Sequence, residues 1–270
     1  MGAALSSKEM TASKSDALVL FTWAGDSPSA AGKSQPTRKL VEMCRAWTKR
    51  VSFRAQPGDI THFPTWGGIT CPNVIVAGLG GKKDFHIDVL RRAAGAASRR
   101  AARLGAQRVG IDLSPLLELR GADLDVLIRA LVASLEKALY GTGRKVTFTV
   151  HGLPPKHQRR ATQSAMAEGH AMAEAVSRVR ELANLPGNEA PPEVVAQFAR
   201  RFARQHGLRC DVWNKARLVR EQCRSLLAVA QGSRREPRLI ILRYPGRKKK
   251  SAPLVLVGKT ITFDTGGISI

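Results

Sequence analysis

Between Val74 and Val150 the period of the apolar residues switches repeatedly, and that alternation constrains the fold more than any other feature of the chain. Val74–Ala77 is a short apolar run ending at Gly78-Leu79-Gly80-Gly81, which reads as a buried strand and a tight turn. From Asp84 to Leu104 the apolar positions move to spacings of three and four, at Leu90, Ala94, Ala97, Ala101 and Leu104, with arginines largely on the other face. That spacing predicts an amphipathic helix. Val109–Leu113 reads as the next strand. Leu124, Leu127, Ile128, Leu131, Leu135 and Leu139 mark a second helix, and Val146–Val150 a further strand. Strands alternating with helices over about 80 residues predict parallel α/β units.

The flanks are read the same way. Met1–Ser15 is expected to be flexible, Asp16–Thr22 to be a first strand, and Gly25–Lys39, rich in Ser, Pro, Gly and Lys, to be a loop. A long helix is predicted from Ala161 to Leu182, ending at the turn Asn184-Leu185-Pro186-Gly187-Asn188. Pro191-Pro192-Glu193 opens another, with Val195, Phe198, Ala199 and Phe202 as its apolar face and Gly207 past its end. Leu208–Val212, Leu239–Leu242 and Leu254–Val257 are strand candidates. The basic run Arg247–Lys250 reads as an exposed connection, because four adjacent charges are costly to bury.

Composition narrows the function classes. Apolar residues make up 43% and aromatics 5%, enough for an aliphatic core. There is no apolar run of about 18 residues, and the first thirty residues lack the apolar centre of a secretory signal. A cytoplasmic protein without a membrane span is the expectation. Cys44, Cys71, Cys210 and Cys223 form no CxxC pair, which argues against a zinc ribbon or a disulfide scaffold. The net charge of +23 would attract nucleic acid through a weak, salt-dependent, non-specific term. Without a nucleic-acid-binding motif or aromatic residues among the basic clusters, a solvated surface is the plainer account.

Two glycine-rich stretches fail as phosphate binders. The third glycine of a dinucleotide fingerprint starting at Gly78 would fall at Lys83. Gly258-Lys259-Thr260 has the closing triplet of a phosphate loop, but Pro253 stands where the first glycine is needed. In Val257–Ile270 a lysine and an aspartate instead follow an apolar run, with Gly266-Gly267 permitting close backbone approach. Asp264 offers oxygen to a hard divalent cation, and Lys259 offers either a cation for an anion or, when neutral, a nitrogen ligand. A metal would favour the neutral amine.

This segment resembles the metal-site signature of the leucyl aminopeptidase (cytosol aminopeptidase) family, VGKGxTFDSGGxSxK. Thr260 replaces a glycine, and Thr265 replaces a serine that is often threonine. Leu226–Ser233 is similar to the family's LLAVGQGS, with Ala230 for a glycine, and Glu236–Tyr244 to the strand behind it. Gln222-Cys223-Arg224 stands where the family has Gly-Met-Gly. Asn184, Pro186 and Asn188 with Pro192 are similar to the turn that begins the family's catalytic domain. Pro191 there takes the place of a common threonine and removes a possible helix cap.

The resemblance covers residues 165–270 in motifs and the earlier part in the order of elements. It implies an α/β fold with a flexible amino terminus (1–15), an amino-terminal α/β domain (16–151), a linker (152–164) and an incomplete α/β aminopeptidase catalytic domain (165–270). It also implies peptide substrates, a homohexamer, and two divalent ions, commonly manganese, zinc or magnesium. Lys259 and Asp264 match metal ligands, and Gly258, Gly266 and Gly267 support their loop. The family's catalytic lysine would follow Ile270, with further aspartate and glutamate ligands beyond it, so these 270 residues alone are expected to be inactive. The alternative is a catalytically dead basic interaction protein or nucleic-acid-associated protein.

Overall fold

The computed structural model describes residues 3–153, 160–244, 246 and 252–262. They divide into two compact units, residues 1–177 and 178–270.

The first unit is built on a six-stranded sheet of order β1-β6-β5-β2-β4-β3. Its strands are β1 (Ala3–Leu5), β2 (Ala17–Thr22), β3 (Ile60–Pro64), β4 (Asn73–Gly78), β5 (Arg108–Asp112) and β6 (Thr147–His151). All neighbours are parallel except the edge pair β3 and β4. The helices are α1 (Gln35–Arg50), α2 (Ile87–Arg103), α3 (Leu124–Lys137) and the start of α4 (Arg160–Ala183). Strand β2 is apolar throughout because both of its faces are covered. Ala17, Val19 and Phe21 join the core under α2, α3 and α4, whereas Leu18 and Leu20 pack with Leu40 and Cys44 of α1. Alanines along α2 let α3 approach closely, and Ser98 Oγ donates to Leu135 O at 2.7 Å across the helix pair.

The parallel α/β reading holds, with three differences of detail. First, residues 35–39 begin a helix rather than continue a loop. Ser34 caps it by accepting from Thr37 N, Pro36 sits in the first turn, and Leu40 and Cys44 are buried. Second, β3 is a half-buried edge strand whose alternation is too short to stand out; its terminal Pro64 is tolerated at the edge. Third, the amino terminus is docked rather than flexible in the described residues. Ala3, Ala4 and Leu5 pair with Phe148, Thr149 and Val150, and Met10 is buried.

Glu9 fastens this amino-terminal strap to α1. Its carboxylate accepts from Lys33 N at 2.9 Å, Thr37 Oγ1 at 2.7 Å and Ser34 Oγ, which places an anion at a helix amino terminus. The Ser34 hydroxyl first, then Thr37 and the Lys33 amide, pull the Glu9 pKa down to about 2. The folded value lies below the ordinary 4.5, so the contribution is present above that pH and lost as pH falls towards about 2. Glu9→Gln should cost about 1 kcal/mol at neutral pH, a figure reduced for solvent screening, and flatten the acid limb between about pH 5 and pH 2. Urea titrations of both proteins across that range would read it; parallel acid limbs would contradict it.

Helix α4 agrees with the expected long helix, but its first half belongs to the first unit. Ala165, Met166, Gly169 and Ala173 are buried, and Glu136 on α3 meets His170 Nδ1 at 2.7 Å. The expected linker therefore overlaps the start of α4, and its residues 154–159 lie outside the described set.

The second unit contains α5 (Pro192–His206), β7 (Arg209–Trp213), α6 (Lys215–Arg220), α7 (Arg224–Val229) and β8 (Leu239–Arg243). Strands β7 and β8 pair antiparallel. Pro191 gives α5 no side-chain cap, and Gly207 closes it at φ 68°. Arg217 stacks 4.3 Å from the Trp213 ring centroid and bonds both Asp211 oxygens at 3.1 Å, fixing α6 on β7. The strand expected at Leu254–Val257 does not form: these residues are 88, 70, 87 and 92% exposed and lie in irregular chain. Apolar character alone does not make a strand, which needs a hydrogen-bonding neighbour, and none pairs with this segment among the described residues. The basic run Arg247–Lys250 lies outside those residues.

Candidate metal centre

The segment that carries the metal signature leaves β8 through Tyr244 and is described again from Ala252 to Thr262. Gly258 and Lys259 are exposed there, and a side chain added at Gly258 would meet no described atom within 4 Å. Thr260, in place of the family's glycine, takes no left-handed backbone. Asp264, Gly266 and Gly267 lie outside the described residues. The structure therefore places Lys259 in open chain, and its expected partner Asp264 falls outside the described residues.

Among the described residues, no group of three or more His, Cys, Asp or Glu side chains is gathered to hold a metal ion. The chemistry of the two candidates still suits one: a neutral amine and a carboxylate are the nitrogen and oxygen donors that divalent cations take. Two donors are half or fewer of the roughly four to six that such ions need. Lys259 and Asp264 fit as part of a centre, not as the whole of one.

The frame around the signature is better defined. Arg238, at the approach to β8, is 16% exposed on its side chain and donates from Nε to Glu193 on α5 at 2.9 Å and from a terminal nitrogen to Glu236 at 2.7 Å. This ties the entry of β8 to the first turn of α5. The α6–α7 turn carries a second constraint, since Gln222 adopts φ 54° while Cys223 N bonds Leu218 O at 2.9 Å. Gln222 stands at the first glycine of the family's Gly-Met-Gly, so the side chain gained there sits in the left-handed region. Such a conformation costs a non-glycine residue about 1 kcal/mol. Gln222→Gly should raise stability by up to about 0.5–1 kcal/mol, while Gln222→Val should lower it by about 1–2 kcal/mol. Chemical denaturation of the three proteins checks the order, and equal midpoints would refute it.

Two buried titratable groups, Asp112 and His151, escaped the sequence reading because each closes an apolar strand. Asp112 accepts from Ala31 N at 2.9 Å, Ser114 N at 3.0 Å and Ser114 Oγ at 2.8 Å; burial pushes its pKa up. His151 Nδ1 lies 3.0 Å from Lys8 O, and burial pushes its pKa down. Their bonds hold loops and the amino-terminal strap, a structural task.

Known proteins share both units. The family model described as cytosol aminopeptidase family, N-terminal domain, matches residues 17–145, and the one described as its catalytic domain matches residues 177–270. A probable cytosol aminopeptidase of Syntrophotalea carbinolica is 32% identical over 268 residues, which covers 95% of this chain and 53% of the relative. One from Streptomyces coelicolor is 32% identical over 282 residues, with the same coverage of 95% and 53%. The chain thus spans about half the length of the curated relatives it matches. Among solved structures, the bottromycin maturation enzyme BotP in complex with Mn is similar at a TM-score of 0.66 and 27% identity, over 85% of this chain and 45% of that one. A tomato leucine aminopeptidase mutant matches at a TM-score of 0.73 and 17% identity, over 92% and 52%, a likeness of fold.

Proposed function

The chain belongs to the cytosol aminopeptidase family, and we propose that it is the part of a metal-dependent aminopeptidase that supplies Lys259 and Asp264 to the metal centre. The observation that carries this reading is the Val257–Ile270 signature within the matched catalytic domain. The manganese complex of BotP supports the use of a divalent ion. When bound, such ions polarise the scissile carbonyl and activate water. The chain's own part is to present the Lys259 nitrogen and the Asp264 carboxylate, with Gly258, Gly266 and Gly267 allowing the backbone close to the ions. The substrates are peptides that lose a leucine-type amino-terminal residue. A cytoplasmic location and a homohexameric assembly are proposed on the same family grounds.

By themselves these 270 residues should not hydrolyse leucinamide with added manganese, because two donors leave a two-metal centre unfilled. Leucine release above a chelated control would overturn that part of the proposal. The signature is tested separately by grafting Val257–Ile270 into the corresponding positions of a full-length curated relative. Metal-dependent turnover comparable to the parent is expected, and a folded graft without turnover would refute the assignment.

A second reading rests on the charge of +23 and on α2, where exposed Arg92, Arg99 and Arg103 recur at spacings of seven and four along one stripe. In that reading the chain is a catalytically dead, basic, nucleic-acid-associated protein. It requires binding to an arbitrary duplex that weakens steeply from 50 to 200 mM salt. Absence of binding at low salt would remove it.

A further inference from the structure

Helix α1 turns a basic face to solvent. Arg38, Lys39, Arg45, Lys49 and Arg50 are exposed, with Glu42 the acid among them. Arg38, Arg45 and Lys49 share one stripe, and Lys39 and Arg50 flank it on the side of Met43. The ion pairs of the first unit fall on Lys82, Arg91, Arg108, Arg129 and His170, so none of the α1 cations has a carboxylate partner among the described residues.

The fold adds what the basic clusters lack in the linear sequence, an aromatic residue beside them. Residues 65–72, between β3 and β4, pack onto the same helix. Ile69 and Cys71 share a core cluster with Leu40 and Cys44, and a side chain added at Gly68 would meet Met43 Sδ at 3.0 Å. The turn is held tightly: Gly68 N bonds Thr65 O at 2.8 Å, Thr65 N bonds Pro72 O at 2.9 Å, and Thr65 Oγ1 donates to Cys71 O at 2.7 Å. Within it Trp66 is 75% exposed and takes φ 47°. The left-handed region is unfavourable for so bulky a residue, and an indole left in water contributes nothing to the core. Strain kept at an exposed aromatic is of the kind found at binding surfaces.

Charge complementarity makes the partner anionic, and the lone indole selects its class. Single-stranded nucleic acid is held in a groove with successive aromatic platforms. Here one indole stands beside the outer face of a helix. A bilayer surface asks only for several cations over its anionic headgroups and an indole at headgroup level. We propose that α1 and the Trp66 turn form a peripheral docking face for an anionic lipid bilayer. The face lies in the first unit and does not rest on the aminopeptidase reading.

The test sediments the 270-residue chain with vesicles of equal parts phosphatidylglycerol and phosphatidylcholine, and with pure phosphatidylcholine, over a salt series. Binding to the anionic vesicles alone is expected, falling as salt rises. Arg38→Gln, Arg45→Gln and Lys49→Gln combined should weaken it at least about tenfold, because each cation near an anionic surface adds to the attraction. Arg92→Gln, Arg99→Gln and Arg103→Gln combined remove the same charge from α2 and should weaken it less than about threefold, which separates a docking face from the pull of the net charge. Lipids brominated on the upper acyl chain should quench tryptophan emission, and Trp66→Ala should remove most of that quenching. No binding at low salt, equal weakening by the two triple variants, or quenching that survives Trp66→Ala would each overturn the proposal. An oligonucleotide whose binding needs Trp66 and the α1 cations, in the absence of vesicle binding, would overturn it too and assign the face to nucleic acid.

Discussion

Asp264→Ala, introduced into the Val257–Ile270 graft in a full-length relative, should lower kcat/KM by on the order of 10³-fold or more. Removing one preorganised donor that only stabilises charge in a transition state costs about 10²–10³-fold. A ligand substitution also weakens the ion that activates the nucleophile, so the loss should reach or exceed that range. Lys259→Ala should fall in the same class. Lys259→Arg should not rescue it, because a guanidinium stays protonated and has no lone pair to give a metal. Thr260→Gly and Thr265→Ser restore the residues usual in the family and should change the rate little, which makes them controls for handling the loop. Metal titrations separate the causes: lost affinity moves the manganese concentration needed for activity, whereas a damaged but loaded site lowers kcat at saturation. Unchanged activity in Asp264→Ala would remove that residue from the metal centre.

Gly152→Ala should be the most damaging single methyl in the first unit, at about 3 kcal/mol or more. Gly152 follows β6 at φ 82°, where an alanine already costs about 1–2 kcal/mol. Its Cβ would lie 2.1 Å from Asp112 Oδ1 and 2.9 Å from Ser114 N. The carboxylate cannot step aside cheaply, because it is 1% exposed and held by Ala31 N, Ser114 N and Ser114 Oγ. Displacing it leaves buried polar groups unpaired, at about 1–3 kcal/mol each. Gly141→Ala is the matched control, with φ 75° and nothing within 4 Å of the added carbon. It should show the conformational part alone, about 1–2 kcal/mol. Urea unfolding of the pair isolates the contact, and equal losses would mean that the Asp112 cluster does not constrain the loop.

The elements legible in the sequence are those whose own periodicity decides their state. Helix α2 and strands β4, β5 and β6 can be read because their alanines, valines and leucines repeat at the helix or strand period over a sufficient length. Helix α1 was hidden by the Pro, Gly and Ser preceding it, although Ser34, Pro36 and the Leu40–Cys44 spacing carry its signal. Strand β1, only Ala3–Leu5, owes its state to the edge of β6, a partner 145 positions away in the register Ala3↔Phe148. Leu254–Val257 is the converse case, apolar enough for a strand but unpaired in the described structure. Lys259 and Asp264 are named by the resemblance of the signature alone, and Asp264 lies outside the described residues.

The central claim is that Val257–Ile270 is a metal-binding segment with Lys259 and Asp264 as ligands. Anomalous diffraction at the manganese edge, from crystals of the graft soaked in manganese, addresses it most directly. The account predicts manganese peaks about 2.0–2.6 Å from Lys259 Nζ and from an Asp264 carboxylate oxygen. Manganese bound at the remaining ligands with neither Lys259 nor Asp264 in contact would contradict it.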